Sequence, residues 1–362
     1  CNARLAAGNC ASFPSRATVR YMRFTRIIRL ALFVASTIGF AGCATIQPLA
    51  EGARDPTSMP TSIADRFCYA AGPIDNTVAL QEEKRAYRIY DVALDPGVDE
   101  SGDDSPITLE FYSPDGAGPV PVILVLPILN GQKHLVRPFA THFANHGYAA
   151  VIVDTVQRRT LLEDLIHPED AIRRTVMRHR MVLDWVENRP DLDASRIGVF
   201  GASLGGFNAL YLAALDDRVR AVVPALVAGD LPYVMTHSNE RRIVEAVEGA
   251  KAELSMTADE LQAYLESMLA TDLLTVAPHL DPARIMMVIA KRDKALPYEK
   301  QVELREALGS PEAVYVPTGH VTTAAYLFYL RSRARKFFDR KLLDDESGSV
   351  ATLPAGRCVP GT

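Results

Sequence analysis

Residues 197–206 read Ile-Gly-Val-Phe-Gly-Ala-Ser-Leu-Gly-Gly, an apolar run followed by a glycine-bounded turn. The apolar residues 197–200 predict a buried strand, and residues 201–205 form a G-x-S-x-G turn that ends it. Small residues on both sides allow the turn to hold Ser203 in a strained, exposed conformation. The stretch therefore predicts a serine nucleophile between a strand and a helix.

Short β-branched runs and helical patterns alternate on both sides of this turn. Such near-continuous apolar strands fit a sheet that is buried on both faces, and the alternation predicts an α/β fold with a mostly parallel, eight-stranded sheet flanked by helices. The predicted strands are residues 85–94, 107–112, 120–126, 149–153, 196–200, 219–226, 285–290 and 313–316. The predicted helices are residues 136–146, 168–188, 204–215, 298–308 and 321–342.

One segment interrupts the alternation. Residues 229–277 hold about two additional helical patterns between consecutive strands, at residues 239–254 and 257–270. We interpret this segment as a small helical cap inserted into the domain.

Together, the turn at Ser203, the strand–helix alternation and the insertion resemble the α/β-hydrolase fold family. The resemblance covers residues 85–342, and the chain looks similar to the serine esterase, acetyl-xylan esterase and dienelactone hydrolase branches. In this family the nucleophile is followed along the chain by a carboxylate and then by a histidine. The resemblance implies a Ser-Asp-His triad, with no cofactor and no metal.

The histidine predicted for this triad is His320. It stands in Pro-Thr-Gly-His after the last predicted strand and before a helix, which is a loop position at the carboxyl edge of the sheet. A serine hydroxyl needs a base within hydrogen-bond reach, and an imidazole supplies one. His134 is the rival for proximity, but it precedes Ser203 in the chain.

The carboxylate predicted to orient the imidazole is Asp293, which follows the strand at 285–290 and lies 27 residues before His320. Its basic neighbours Lys291 and Arg292 leave a surface ion pair as an alternative. Asp230, after the preceding strand, is the alternative acid.

Negative charge that develops on a carbonyl oxygen during attack needs backbone N–H donors. The first predicted donor is Leu204, at the N-terminus of the helix after the nucleophile. Alignment with the family's corresponding turn gives Leu129, after the strand at 120–126, as the second donor.

The sequence therefore predicts a serine hydrolase that cleaves a small-molecule carboxylic ester through an acyl-enzyme. A serine peptidase of the same fold and a non-catalytic, ligand-binding envelope lipoprotein are the alternatives. His142 and His146 have a spacing that can bind metal, but the glutamate of a zinc protease and a third ligand are missing nearby, so surface histidines are favoured.

The N-terminal residues predict export. Residues 1–21 precede Met22 and are interpreted as upstream sequence translated in error; residues 22–42 have the charged, apolar and small-residue regions of a signal peptide. Ala-Gly-Cys at 41–43 resembles the lipobox of bacterial lipoproteins, which implies lipidation of Cys43, membrane attachment through that lipid and an outer-membrane location. Ordinary cleavage near Ala41 and an uncleaved anchor are the alternatives.

For the remaining chain we predict a lipidated tether (residues 43–66), the α/β domain (67–345) and an irregular tail (346–362). Cys68 and Cys358 flank the domain and are a candidate disulfide, with two free thiols as the alternative. Residues 43–362 contain 33 basic and 44 acidic residues, a net charge of −11 that disfavours nucleic acid as a partner. Oligomeric state is not predicted.

Overall fold

The computed structural model describes residues 43–69, 71–98, 103–116, 118–128, 133–155 and 161–344. Within these residues ten strands form one sheet. The strands are β1 (Thr45–Gln47), β2 (Asp75–Glu83), β3 (Tyr87–Asp95), β4 (Ile107–Pro114), β5 (Val120–Leu126), β6 (Ala149–Thr155), β7 (Leu192–Ala202), β8 (Val219–Ala225), β9 (Met286–Ala290) and β10 (Glu312–Val316).

Helices cover both faces of this sheet. The α-helices of the described residues are α1 (Thr61–Ala64), α2 (Lys133–Ala144), α3 (Pro168–Glu187), α4 (Leu204–Leu215), α5 (Leu231–His237), α6 (Arg241–Leu254), α7 (Ala258–Met268), α8 (Leu273–Val276), α9 (Tyr298–Ala307) and α10 (Leu327–Phe338). Short 3₁₀ helices span Asp65–Phe67, Leu161–Glu163, Ala277–His279, Pro282–Arg284 and Val321–Tyr326, and a π-helical turn spans Asp339–Leu343.

The strand order is β1-β10-β9-β8-β7-β5-β6-β4-β3-β2. The six strands from β10 to β6 are parallel, and β4, β3, β2 and β1 pair antiparallel with their neighbours. The α/β architecture and the mostly parallel sheet are as predicted. The predicted count of eight strands is wrong, because β1 and β2 add one strand at each edge.

The sheet separates two apolar cores, and β5 shows how the sequence builds both. Val122 and Leu124 face the first core, beneath α3 and α4, whereas Ile123 and Val125 face the second core, beneath α2 and α10. All four side chains are fully buried. Because successive side chains of a strand point to opposite faces, a continuous apolar run is what a strand covered on both sides requires.

The segment predicted to be a tether, residues 43–66, contacts the domain. Residues 45–47 form β1, which pairs antiparallel with β10 so that Ile46 lies opposite Val314. The Arg54 guanidinium donates to the carbonyls of Ala277, Pro278 and Ala307, at 2.6–2.9 Å. Backbone pairing and the half-buried Arg54 contacts hold the segment in place, rather than side-chain periodicity, so its composition did not reveal the structure.

The inserted cap contains four short helices, α5–α8, where the sequence predicted two. Thr257 and Glu260 form a reciprocal capping box at the start of α7, and Glu240 caps α6. Asp230 caps the start of α5, because its side chain accepts from the Tyr233 N–H. These caps fix where each helix starts above the carboxyl edge of the sheet.

The structure tests the predicted disulfide and the predicted membrane attachment only in part. Cys68 is disulfide-bonded, but its predicted partner Cys358 lies outside the described residues, so the pairing stays a prediction. Cys43 is an exposed free cysteine. In the described ranges, which exclude residues 1–42, no helix is both long and apolar enough to cross a bilayer.

A buried histidine makes folding stability depend on pH. His179 is 3% exposed, and burial lowers its pKa from 6.5 to about 4. Because the unfolded chain binds this proton near pH 6.5 and the folded chain does not, stability is full above that pH and is lost as the pH falls towards 4. We expect the free energy of unfolding to fall by about 2 kcal/mol from pH 7 to pH 5 through this group.

Chemical denaturation at the two pH values measures this loss. His179→Gln, which does not titrate, is expected to lack this part of the pH dependence, whereas the exposed His134→Gln is expected to retain it. Equal pH dependence in wild type and His179→Gln would contradict the assignment.

Candidate active site

Ser203 lies between β7 and α4 with a backbone conformation that side chains rarely adopt. Its φ is 52° and its ψ is −122°. A positive φ on a residue other than glycine is strained, and it persists only where the surroundings enforce it. Here the Ser203 N–H donates to the Ala225 carbonyl at 2.8 Å, and its own carbonyl accepts from Gly206 and Phe207 at 2.8 and 3.1 Å.

The flanking glycines allow this sharp turn because the backbone around it is too close for a side chain. A Cβ on Gly201 would lie 2.0 Å from the Gly205 carbonyl oxygen. A Cβ on Gly205 would lie 2.1 Å from the Leu126 carbonyl oxygen at the end of β5. The small residues recognised in the sequence are therefore required by the packing of α4 against β5 and β7.

His320 contacts Ser203 although 117 residues separate them in the chain. The distance from Ser203 Oγ to His320 Nε2 is 3.1 Å, and the distance from His320 Nδ1 to Asp293 Oδ2 is 2.8 Å. An ionised carboxylate can only accept hydrogen bonds, so Nδ1 carries the proton and Nε2 is free to accept from the serine hydroxyl. The imidazole is thus oriented as a base toward Ser203.

The Asp293 carboxylate is buried and surrounded by donors. Its side chain is fully buried, whereas that of His320 is 19% exposed. Oδ1 accepts from the backbone N–H groups of Ala295 and Leu296 at 2.9 and 3.0 Å. Oδ2 accepts from His320 and from Gln301 Nε2, the latter at 3.2 Å. Because every neighbour donates, the surroundings are arranged for an ionised carboxylate.

Gln301, on α9, was not singled out by the sequence analysis. It is fully buried, and its Nε2 also donates to the Leu296 carbonyl at 2.8 Å while its Oε1 accepts from the Ala290 N–H at 3.3 Å. It therefore connects the end of β9, the loop after Asp293 and the carboxylate itself. The available signal was a polar residue three positions before the buried Leu304, on the apolar side of the helix.

Two loops at the carboxyl edge of the sheet hold Asp293 and His320 in register. The Arg292 N–H donates to the Thr318 carbonyl at 2.9 Å, which joins the two loops. Beyond it, the hydroxyls of Thr318 and Thr323 lie 2.8 Å apart, and the Gly319 N–H donates to Thr322 Oγ1 at 2.9 Å. Neighbouring parallel strands thus deliver both side chains to one edge.

The alternative residues lie elsewhere. Asp230 Oδ2 accepts from Lys300 Nζ at 2.6 Å at the entrance to the cap, and His134 is exposed in the first turn of α2. His142 and His146 have ring centroids 4.3 Å apart. Burial lowers the pKa of His142 to about 4. No group of three or more potential metal ligands occurs in the part of the chain that the structure describes.

The predicted oxyanion donors have different outcomes. Leu204 is the first residue of α4, so its N–H belongs to the first turn, whose donors have no partner within the helix. It adjoins Ser203 at the positive end of the helix dipole. Leu129 lies outside the described residues, so its role stays a prediction.

Comparisons with known proteins agree with this architecture. An acetyl xylan esterase from Paenibacillus sp. R4 is 20% identical, with a TM-score of 0.57 over 80% of this chain and 97% of that one. Acetyl xylan esterase 1 from Thermoanaerobacterium sp. JW/SL YS485 is 17% identical, with a TM-score of 0.51 over 75% of this chain and all of that one. The chain therefore has the α/β-hydrolase fold.

Part of the chain also matches a family by sequence. Residues 108–260 match the dienelactone hydrolase family. An uncharacterized 31.7 kDa Escherichia coli protein from the traX-finO intergenic region is 30% identical over 137 residues, which are 36% of this chain. This match spans 45% of that relative, so the chain covers less than half of its length.

Proposed function

We propose that the protein is a serine hydrolase that cleaves carboxylic esters through an acyl-enzyme. The observation that carries the proposal is the hydrogen-bonded series Ser203–His320–Asp293, at 3.1 and 2.8 Å, on a strained strand-to-helix turn. The hydrolase fold and the family match at residues 108–260 support the same reaction class. Ser203 Oγ is the nucleophile of the first half-reaction and the leaving group of the second.

In the proposed first half-reaction, Ser203 Oγ bonds to the ester carbonyl carbon as its proton moves to His320 Nε2. The Leu204 N–H, with a second donor proposed at Leu129, stabilises the negative charge on the carbonyl oxygen. The bond from that carbon to the alcohol oxygen then breaks, and the alcohol takes the proton from Nε2. Asp293 accepts from Nδ1 throughout and stabilises the imidazolium.

The second half-reaction reverses these roles with water. His320 Nε2 takes a proton from water while the water oxygen bonds to the acyl carbon. The bond to Ser203 Oγ then breaks and the serine regains its proton, which releases a carboxylic acid. Substrate and water are the two reactants, so the proposal requires no cofactor.

The proposal is tested by assaying the purified protein with p-nitrophenyl acetate and an organophosphorus probe that reacts with activated serines. We expect turnover above the spontaneous rate and one covalent adduct on the peptide that contains Ser203. A series of longer acyl chains and a peptide anilide distinguish an esterase from the peptidase alternative. Absence of both turnover and adduct would leave the non-catalytic, ligand-binding alternative.

Gln301 is expected to position Asp293 during this reaction. Gln301→Leu has a similar volume but removes one hydrogen bond to a buried carboxylate, a contribution of about 1.5 kcal/mol, or roughly tenfold in rate. We expect kcat for p-nitrophenyl acetate to fall about tenfold with KM unchanged. Gln262→Leu, on α7 and away from the carboxylate, is the matched control. A lower melting temperature with unchanged kcat would mean that Gln301 is only structural.

We further propose that the protein is exported and anchored in the outer membrane by lipid on Cys43. The lipobox-like sequence at 41–43 supports this, and Cys43 is exposed and unbonded. Mass spectrometry of the mature N-terminus is expected to find a diacylated Cys43; a free N-terminus at another residue would refute the proposal.

A further inference from the structure

Large apolar side chains that follow His320 are exposed to solvent. Val321 is 82% exposed, more than any other large apolar side chain among the described residues, and Phe328 is 66% exposed. Tyr329, which follows Phe328 in the first turn of α10, is 37% exposed. Exposure of this size removes the stabilisation that burial would give, and grouped apolar residues indicate contact with a partner.

These side chains lie beside the candidate active site. Val321 is bonded to His320, whose imidazole contacts Ser203. The 3₁₀ helix Val321–Tyr326 rises about 2 Å per residue, so Phe328 stands within about 14 Å of Val321 along the chain. The exposed residues are therefore on the edge of the sheet at which the triad is assembled.

The edge strand β1 brings a further apolar residue to this region. Ala44 packs against the second core together with Tyr326 and Leu327, which immediately precede Phe328. Ile46, two residues after Ala44, is 44% exposed opposite Val314 on β10. We call Ile46, Val321, Phe328, Tyr329 and Arg331 the rim surface.

Positive charge lies close to the exposed aromatic residues. Residues 313–338 contain four Arg or Lys residues and no acidic residue, and Glu312 and Asp339 flank them. Arg333 and Arg335 pair with Glu312 and Asp339, whereas the Arg331 guanidinium lies 4.4 Å from the centre of the exposed Phe328 ring. Exposed apolar and aromatic side chains combined with arginine are typical of surfaces that lie in the headgroup region of a bilayer.

We propose that the rim surface docks on an anionic lipid bilayer, and that the enzyme takes an ester substrate presented at that bilayer. The location of Cys43 in the sequence, directly before Ala44, favours lipid over a protein partner. A lipid on that cysteine would begin three residues before Ile46 of the rim surface, so attachment there would hold this surface close to the bilayer. The substrate part of the proposal depends on the proposed hydrolase function; the docking part does not.

Vesicle co-sedimentation tests the docking. All proteins carry Cys43→Ser in the full chain, so that attached lipid is absent and every other segment contributes equally. Vesicles of phosphatidylcholine with phosphatidylglycerol are compared with phosphatidylcholine alone. We expect Phe328→Ser combined with Tyr329→Ser, the rim pair, to weaken binding to the anionic vesicles at least about tenfold.

The opposite edge of the sheet supplies the matched control. Val78 and Leu80 on β2 are 46% and 55% exposed and lie about 43 Å from β1, at nine strand spacings. Val78→Ser combined with Leu80→Ser is expected to leave vesicle binding unchanged. Equal weakening by both pairs, or no weakening by the rim pair, overturns the proposal. So does a dimer that the rim pair dissociates without any change in vesicle binding.

A second measurement separates this proposal from the proposed function. Hydrolysis of a dissolved p-nitrophenyl ester is compared with that of a long-chain ester held in the vesicles. The rim pair is expected to lower vesicle-borne turnover at least about fivefold more than dissolved turnover. Equal losses would refute presentation at the bilayer. Absence of turnover on both esters in the Cys43→Ser parent would refute the hydrolase, while sedimentation would still decide the docking.

Discussion

Ser203→Ala is expected to lower kcat/KM for p-nitrophenyl acetate by at least about 10⁴-fold, because the acyl-enzyme cannot form without the hydroxyl. The Oγ atom is the group that contacts His320 Nε2, at 3.1 Å. The residual rate would come from binding and from the N–H donors, which act without the nucleophile. Initial rates with purified protein, corrected for spontaneous hydrolysis, measure the change.

Ser195→Ala is the control for this substitution. Ser195 lies on the same strand, β7, but it is exposed and its hydroxyl contacts Asp193. We expect its kcat/KM to match that of the wild type. If Ser203→Ala kept more than about a tenth of the wild-type rate, Ser203 would not be the nucleophile and the proposed mechanism would be wrong.

Gly205→Ala is expected to destabilise the fold by at least about 3 kcal/mol. The new Cβ would lie 2.1 Å from the Leu126 carbonyl oxygen and 2.6 Å from that of Pro127, and both are backbone atoms that no side-chain rotation can move. The helix α4 would have to shift away from β5. Because Ser203 and Leu204 are at the start of α4, activity is expected to fall as well.

Gly249→Ala provides the opposite expectation with the same chemical change. Gly249 lies inside α6, and a Cβ there would meet nothing within 4 Å. Alanine is favoured over glycine in a helix, so this variant is expected to gain about 1 kcal/mol. Urea denaturation of both variants measures the difference. A Gly205→Ala midpoint equal to that of the wild type would show that the turn tolerates a side chain.

The central part of the fold could be predicted because its pattern and its packing agree. The strand β5 and the helix α4 begin and end where the sequence predicted, since a continuous apolar run and a glycine-bounded turn leave few alternatives. The chain order of Ser203, Asp293 and His320 likewise named the three residues that the fold brings together.

The edges of the fold could not be predicted, because side-chain patterns do not determine them. None of the nine residues of β2 is buried, and the strand is held by backbone pairing with β3. The predicted helix 321–342 divides into three segments. At its start, the Thr323 hydroxyl donates to the Gly319 carbonyl at 2.9 Å, one of the local bonds by which threonine competes with a regular helix.

Gln301 shows the same limit within the candidate site. A glutamine in the mostly polar sequence of α9 is equally compatible with the surface, and only the path of the loop after β9 places Asp293 against it. Local pattern indicates which residues are buried. It does not indicate which buried polar groups meet across elements that are distant in the chain.

The pairing of β1 with β10 limits the distance between the candidate active site and a lipid attached at Cys43. If a lipid is attached at Cys43, the strand starts two residues later and leaves almost no slack. An enzyme attached this closely would stay within a thin layer of solution next to the membrane. It would meet substrates held at the membrane often, whereas dissolved substrates would first have to diffuse into that layer.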